Sequence, residues 1–254
     1  TVTVTGVNDS DPDGHKAYEI DLSATASLDA SAATFDGVSD YITLNNVAGK
    51  MSPYSATFSI SYWSKPVFSS FPESDAYYFA INTSTGGNRL LLGAEKNSKK
   101  VKVCCDSSKT GSTVLSESNW NHVVYTRSGS TGTFYVNGVN QGTLTADYSL
   151  NSNDRWSLGG EYDTNTITNE FAGQMDEVAI WNTALTSAEV SALYNSGNAL
   201  NASYNSGNYN KSSHLVAYWQ FKEGSGTVTN TSNEAETSLS AHIVTSGTCE
   251  SAGY

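Results

Sequence analysis

One segment carries the clearest strand signal in the chain and reads Phe171-Ala172-Gly173-Gln174-Met175-Asp176-Glu177-Val178-Ala179-Ile180-Trp181. Side chains alternate between the two faces of a strand, so Asp176, Val178 and Ile180 are expected on the same face. This segment predicts a long strand that leads into a helix a few residues later.

That helix carries its own start signal. Thr186 and Glu189 have the spacing of a capping box, and Leu185 and Val190 have that of a hydrophobic staple. The apolar residues that follow fall on one face of a helix. The sequence therefore predicts one short helix near residues 186–195.

Strand signals fill most of the remaining chain. Asn137 and Gly138 lie between two valines and mark a tight hairpin, because a type I′ turn needs positive φ at both central positions. Further strand candidates, separated by turn residues, are 40–44, 56–63, 76–81, 89–95, 100–105, 119–127, 133–137, 155–159 and 214–221. Many strands with no regular alternation of strand and helix predict an all-β fold, a two-sheet antiparallel jelly-roll sandwich.

The predicted domains differ in size. Residues 1–30 begin with alternating Thr and Val and contain an acidic loop, which predicts a pair of N-terminal strands. Residues 31–254 are assigned to one sandwich. Only 33 residues follow Phe221, too few for a second sandwich, so 214–221 is expected to be a closing strand of the first one with Trp219 buried.

Charge excludes two classes of partner. The formal net charge is −12, so nucleic acid and anionic membrane surfaces are repelled at long range. No apolar run reaches the 18 or so residues of a membrane span. We therefore expect neither nucleic-acid binding nor membrane insertion.

Four segments together resemble the laminin G-like domains of the concanavalin A-like lectin/glucanase superfamily. Besides 171–181 they are Thr34-Phe35-Asp36-Gly37, Trp120-Asn121-His122-Val123-Val124-Tyr125 and Phe134-Tyr135-Val136-Asn137-Gly138. The resemblance implies a concanavalin A-like sandwich. It also implies a permuted order, because 215–227 resembles the strand that usually opens such a domain. Separately, residues 1–22 resemble an acidic-loop β repeat of bacterial extracellular adhesins.

The resemblance also implies a setting and a function. Such domains recur in bacterial surface proteins and in structural or fibre proteins of bacterial viruses, which implies an extracellular, cell-surface or virion-surface location. The expected function is a glycan-binding or adhesion module whose partner is a glycan or a cell-surface receptor. The alternative is a structural or decoration subunit of a virion (capsid, tail or fibre) or of a surface filament, which associates with copies of itself or with a virion scaffold.

Catalysis is not expected. Glucanases of this fold use carboxylates two and four residues apart on one strand, because such residues share a face and can flank a glycosidic bond. Here Asp176 and Glu177 are adjacent, and Glu170 lies about 20 Å from Asp176 along a strand at roughly 3.3 Å per residue. We predict that Asp176 is a structural carboxylate that accepts hydrogen bonds from loop amides, and that the protein is not an enzyme.

A sugar-binding platform is predicted near the turn at 160–165. Trp156 and Tyr162 could stack on a sugar ring, and Asp163 and Asn165 could hydrogen-bond its hydroxyls. For Trp156 the alternative is a place in the core, because it alternates with Leu158.

A calcium site is predicted in the N-terminal acidic loop. Asp9, Asp11 and Asp13, followed by Gly14, reproduce the first half of a calcium-binding loop. The second half is missing, because the twelfth position is Ile20. The alternative is a solvated acidic turn.

Three cysteines leave at least one thiol unpaired in a monomer. Cys104 and Cys105 point to opposite faces of a strand, so at most one of them can meet Cys249. For an exported protein we predict one such bridge.

Overall fold

The computed structural model describes residues 32–44, 47–104 and 106–221, together with the backbone of two strands at 241–245 and 248–251. The strands predicted within 1–30 lie outside the described residues. So do Asp9, Asp11 and Asp13, and the division of the chain into two domains stays a prediction.

The described residues form seventeen strands and two short α-helices. The first elements are β1 (Ala33–Asp36), β2 (Tyr41–Leu44), α1 (Val47–Met51), β3 (Thr57–Pro66), β4 (Asp75–Asn82), β5 (Asn88–Glu95), β6 (Lys100–Cys104) and β7 (Ser108–Val114). They are followed by β8 (Asn121–Ser128), β9 (Thr131–Val136), β10 (Val139–Thr145), β11 (Arg155–Leu158), β12 (Glu161–Asp163), β13 (Thr166–Thr168) and β14 (Ala172–Trp181). The last are α2 (Ser187–Tyr194), β15 (Leu215–Trp219), β16 (Ala241–Thr245) and β17 (Thr248–Ser251). Among the described residues, no helix is long and apolar enough to span a membrane.

The strands form two large antiparallel sheets, which confirms the predicted sandwich. The seven-stranded sheet has the order β1-β14-β3-β8-β9-β10, and β15 also pairs with β14. The eight-stranded sheet has the order β17-β16-β2-β11-β4-β5-β6-β7, and β12 with β13 forms a separate hairpin. β1 and β15 occupy successive stretches of the same edge of β14.

The main core lies between the inner faces of the two sheets. Aromatic rings from both sheets pack there, including the stacked pair Tyr62 and Tyr78, whose centroids are 5.6 Å apart. Trp219 of β15 pairs with Val178 and is 0% exposed. Residues 215–219 are thus an integral strand, and the predicted burial of Trp219 is confirmed.

A second, smaller core covers the outer face of the seven-stranded sheet. Helix α2 begins with the predicted capping box between Thr186 and Glu189. It packs with the loop around residue 200 over Trp181 and its neighbours. The indole of Trp181 donates a 2.9 Å hydrogen bond to the hydroxyl of Tyr209, which fixes the loop against the sheet.

A β-bulge in β14 corrects the predicted orientation of Asp176. The pairing with β3 shifts just after Asp176, and Glu177 has a φ of 50°. The extra residue resets the alternation, so Asp176 pairs with Trp63 and does not share the face of Val178 and Ile180, which pack between the sheets. Asp176 is buried, and its Oδ1 accepts a 2.8 Å hydrogen bond from the backbone amide of Glu177. It is thus a structural acceptor, but the donor lies in the β14 bulge and not in a loop as predicted.

The strand order also contradicts one of the two predicted disulfides, the bridge between Cys104 and Cys249. Cys104 lies in β6 and has a free thiol, whereas Cys249 lies in β17. Five strands separate β6 from β17, which corresponds to about 29 Å at 4.8 Å per strand, and a disulfide needs Cα atoms within about 7 Å. The prediction of a bridge between Cys104 and Cys249 is therefore wrong. The other candidate, Cys105, lies outside the described residues.

Candidate functional site

A cleft of about 540 Å³ lies where β2 ends and β11 begins. We call it the Arg155 cleft, and its lining residues are Thr43, Leu44, Ala48, Gly49, Lys50, Ser152, Asp154, Arg155 and Trp156. They come from β2, α1 and the turn before β11. Its volume is typical of a site for a small molecule.

Two polar atoms of the lining residues are buried without a hydrogen-bond partner. Oδ2 of Asp154 accepts from the backbone amide of Asn151 at 2.8 Å and lies 3.4 Å from Nε of Arg89. Oδ1 of Asp154 and Nε1 of Trp156 have no partner among the described residues. Folded proteins satisfy nearly all buried polar groups with protein, water or ligand atoms. These two buried polar atoms therefore lie behind the surface of the cleft, which is formed by the exposed parts of its lining side chains.

Arg155 joins the cleft to the β12–β13 hairpin. Its Nη1 donates to the carbonyl of Thr164 at 2.6 Å, and its Nη2 donates to Oδ1 of Asn165 at 3.1 Å. The guanidinium also lies 5.1 Å from the ring centroid of Tyr162, in a cation–π contact. Opposite the hairpin tip, a Cβ on Gly86 would come within 2.0 Å of the backbone nitrogen of Thr164, so only glycine fits there. These contacts fix the tip against the end of the sheet.

The ring of Tyr162 is also held by β2. Its hydroxyl lies 2.9 Å from Oγ1 of Thr43, which itself lines the cleft. The ring of Tyr41 meets it edge-on, with centroids 6.2 Å apart. A half-buried ring that is already immobilised loses little side-chain entropy when a ligand contacts it. The structure thus provides a preformed aromatic surface beside the cleft.

The base of the hairpin contains a buried carboxyl group. The backbone amide of Tyr162 donates to Oδ1 of Asn82 at 3.1 Å, and Nδ2 of the same asparagine lies 3.5 Å from Oε2 of Glu161. Burial raises the pKa of Glu161 to about 6, against the lowering effect of the Asn82 hydrogen bond. The carboxyl beneath the hairpin therefore titrates closer to neutral pH than an exposed glutamate does.

The structure separates the four predicted sugar-binding residues into two groups. Tyr162, Asp163 and Asn165 lie together on the hairpin, with Asp163 and Asn165 exposed. Trp156 is 1% exposed, and its indole packs edge-on against Phe79 within the core. Its ring cannot stack on a sugar, so the core alternative is right for Trp156 and the stacking role is corrected. It lines the Arg155 cleft all the same.

Sequence reasoning missed Thr43, Lys50 and Arg155. They belong to β2, α1 and β11, and nothing in a linear sequence shows that these elements meet. The one signal that could have found Arg155 is its position between Asp154 and Trp156, where two charges directly precede a core tryptophan.

The described residues contain no group of three His, Cys, Asp or Glu side chains that could hold a metal ion. The predicted calcium ligands Asp9, Asp11 and Asp13 lie outside the described residues. Calcium binding by that loop stays a prediction.

Comparison with known families identifies the superfamily of the chain. Residues 36–191, more than half of the chain, match the laminin G-like family model described as the concanavalin A-like lectin/glucanases superfamily. The chain belongs to this superfamily. The match confirms the resemblance expected from the four sequence segments. No curated protein sequence matches the chain.

Solved structures of other proteins share the fold at low sequence identity. The SAP-like pentraxin of Limulus polyphemus has a TM-score of 0.52 and 18% identity, covering 66% of this chain and 84% of that one. A candidate carbohydrate binding protein of Bacteroides ovatus ATCC 8483 has a TM-score of 0.59 and 15% identity, covering 88% of this chain and 60% of that one. The NanB sialidase of Streptococcus pneumoniae has a TM-score of 0.50 and 18% identity, covering 64% of this chain and 27% of that one. At these identities the likeness shows the fold alone.

Proposed function

We propose that this superfamily member is a non-enzymatic glycan-binding module whose ligand occupies the Arg155 cleft. The observation that carries the proposal is the immobilised, half-buried ring of Tyr162 beside a cleft of about 540 Å³. Such a ring can contact the apolar face of a sugar while polar side chains of the cleft bond its hydroxyls. The match to a lectin and glucanase superfamily supports this ligand class.

The surroundings of the cleft suit a sugar in two further ways. Thr43 and Ser152 add hydroxyl groups to the lining, and Lys50 and Arg155 add cationic donors. The ring of Tyr162 lies beside them, and exposed Asp163 and Asn165 extend the polar surface along the hairpin. Ligand sites commonly combine one aromatic surface with a few fixed polar groups in this way.

The buried state of the β14 carboxylates supports a role without turnover. Asp176 is 0% exposed and Glu177 is 3% exposed. Both oxygens of Glu177 accept from Nε2 of Gln220, at 3.0 and 3.3 Å. A glycosidase needs its two carboxyl groups on either side of a bound sugar. Groups this deeply packed cannot flank a substrate.

Display outside a cell or on a virion surface stays a prediction from the sequence resemblance. The same holds for the alternative function, a structural subunit that acts by self-association. Light scattering of the purified chain separates the alternatives, because a subunit of a filament or capsid must associate with copies of itself or with a scaffold. A strict monomer at high concentration counts against the structural role.

A glycan array with the full chain tests the proposed function. We expect selective binding to a subset of glycans, measured with and without calcium. Tyr162→Ala should abolish or strongly reduce that signal, because it removes the ring and the bond to Thr43. Tyr204→Ala is the matched control, since Tyr204 is exposed and lies in the loop over the other sheet. Absence of binding on broad arrays, or equal loss in both variants, would contradict the proposal.

A further inference from the structure

A second cleft, of about 510 Å³, lies at the other end of the sandwich. We call it the Lys65 cleft, and its lining residues are Lys65, Ser116, Ser118, Asn119, Trp120, Asn121, Asn137, Tyr194 and Gly197. The backbone amide of Leu150, close to the Arg155 cleft, donates to the hydroxyl of Ser55 just before β3 begins. Lys65 stands near the far end of β3, a ten-residue strand that spans about 30 Å at 3.3 Å per residue. The two clefts are therefore separate sites.

One wall of the Lys65 cleft is a rigid aromatic stack. The ring of Tyr194, at the end of α2, lies nearly parallel to the indole of Trp63, with centroids 5.8 Å apart and planes 20° apart. It is also parallel to the imidazole of His122, at 6.2 Å and 7°. Trp63 and His122 are buried on the outer face of the seven-stranded sheet. Tyr194 thus presents a fixed ring to the cleft, and Trp120 adds a second one.

Polar donors stand beside these rings. Oδ1 of Asn137 accepts from the backbone amide of His122 at 2.8 Å, which leaves the Nδ2 donors of Asn137 unused by the described residues. The exposed side chain of Asn119 and the hydroxyl of Ser118 lie on the same cleft. A flat ring with amides at its edge matches the shape and hydrogen-bonding pattern of a pyranose.

The charge of this cleft differs from that of the chain as a whole. The chain carries 25 acidic residues against 13 Lys and Arg, yet none of the nine lining residues is a carboxylate. Three lysines elsewhere in the described residues, Lys99, Lys102 and Lys211, make ion pairs. Lys65 has no carboxylate within 4.0 Å among these residues, so its ammonium group is available to a ligand.

From this combination we infer that the Lys65 cleft is a second glycan site, specific for a pyranose that carries a carboxylate. The aromatic wall contacts the face of the sugar ring, Asn119 and Asn137 bond its hydroxyls, and the ammonium group of Lys65 pairs with its carboxylate. A neutral sugar would leave that ammonium group unpaired in the bound state. Selectivity for the acidic sugar follows from that difference.

Calorimetric titration of the full chain with a short oligogalacturonate tests the inference. The methyl ester of the same oligosaccharide is the matched ligand control, since it keeps the rings and removes the charge. We expect the free acid to bind and the ester to bind at least about tenfold more weakly, because charge-assisted hydrogen bonds exceed neutral ones by that factor or more. Binding of the acid should weaken as salt concentration rises.

Three variants separate recognition from stability. Lys65→Met keeps the apolar stem and should lose at least about tenfold in affinity for the acid, whereas Lys65→Arg should retain most of it. Lys109→Met is the control, because Lys109 is an exposed residue of β7 that lies outside both clefts. All three should melt within a few degrees of the parent protein. Equal affinity for acid and ester, no measurable binding of the acid, or unchanged affinity in Lys65→Met would overturn the inference.

The outcome is independent of the Arg155 cleft. Tyr162→Ala removes a residue beside that cleft only, so oligogalacturonate binding should survive in this variant. If array binding fails while the acid binds in a Lys65-dependent way, the second site stands and the proposed function of the first does not.

Discussion

Between the two sheets, aromatic and aliphatic side chains fill the space, whereas at the Arg155 cleft charged and hydroxylated side chains line an open cavity of about 540 Å³. Side chains of the protein fill the interior, whereas the cleft is open to a ligand. Substitutions in the sandwich should therefore change the free energy of unfolding, and substitutions around the cleft should change binding while the melting temperature stays nearly constant.

The largest effect on folding stability is expected from removal of β15. Removal of residues 214–254 takes away Trp219 and its pairing with β14, and it exposes an apolar edge of the core. We expect an insoluble or molten product with no cooperative unfolding transition. Trp219→Ala in the full chain is the milder companion and should cost about 3–5 kcal/mol. A soluble truncated chain with a cooperative thermal transition would show that β15 is not integral.

Next in size is the loss of the buried acceptor in the β14 bulge. Asp176→Ala removes the partner of the Glu177 backbone amide and should cost about 1–3 kcal/mol in urea denaturation. Asp163→Ala removes a carboxylate from an exposed site and should change stability by less than about 0.5 kcal/mol. Equal unfolding midpoints for Asp176→Ala and the parent protein would contradict this role.

Local signals explain why most of the sandwich could be predicted from sequence. The hairpin at Asn137 and Gly138 has φ values of 51° and 76°, as its turn type requires, and the capping box of Thr186 is present. Each signal depends on residues close together in the chain. Apolar alternation likewise placed the long strands.

Elements defined by distant contacts escaped prediction. β7 (Ser108–Val114) has few apolar residues, and the side chain of Gln141 secures it by accepting from the backbone amides of Ser112 and Thr113 at 2.9 and 3.0 Å. The bulge at Glu177 broke the alternation rule that placed Asp176. The Arg155 cleft is built from three separate segments. In each case tertiary contacts, which no local pattern records, decided the outcome.

A third prediction concerns the loss of stability in acid that is caused by His122, on the outer face of the seven-stranded sheet. Burial lowers the pKa of His122 to about 3, below its usual value near 6.5. A depressed histidine pKa contributes stability that is complete above pH 6.5 and is lost as pH falls toward 3. Between pH 6.5 and 5 the loss should be about 2 kcal/mol. Denaturant titrations at these two pH values should show it in the parent protein, and His122→Gln should remove this component. An unchanged pH dependence in the variant would contradict the assignment.

The pH dependence of stability that is expected from Glu161 has the opposite sign to that of His122 and is somewhat smaller. Its pKa of about 6 exceeds the model-peptide value of 4.5, so its contribution is complete below pH 4.5 and is lost as pH rises to 6. Glu161→Gln should therefore stabilise the protein by about 1–2 kcal/mol at pH 7 and have little effect at pH 4. Thermal melts of the variant and the parent at both pH values check this. Destabilisation at pH 7 would show that the charged form is favourably bonded.

A small effect on stability is expected at Arg155, together with a large effect on binding. Arg155→Met removes the bonds to the hairpin tip and one of the two cationic donors of the cleft, but it leaves the core intact. Its unfolding free energy should fall by less than about 1 kcal/mol, as for other partly exposed charges.

The most direct test is the calorimetric affinity of the strongest array glycan for the parent protein and for Arg155→Met, with melting temperatures recorded on the same samples. We expect the affinity of Arg155→Met to be at least about tenfold lower than that of the parent protein, with melting temperatures that differ by only a few degrees. Equal affinities in two equally stable proteins would contradict the assignment of this cleft as the glycan site.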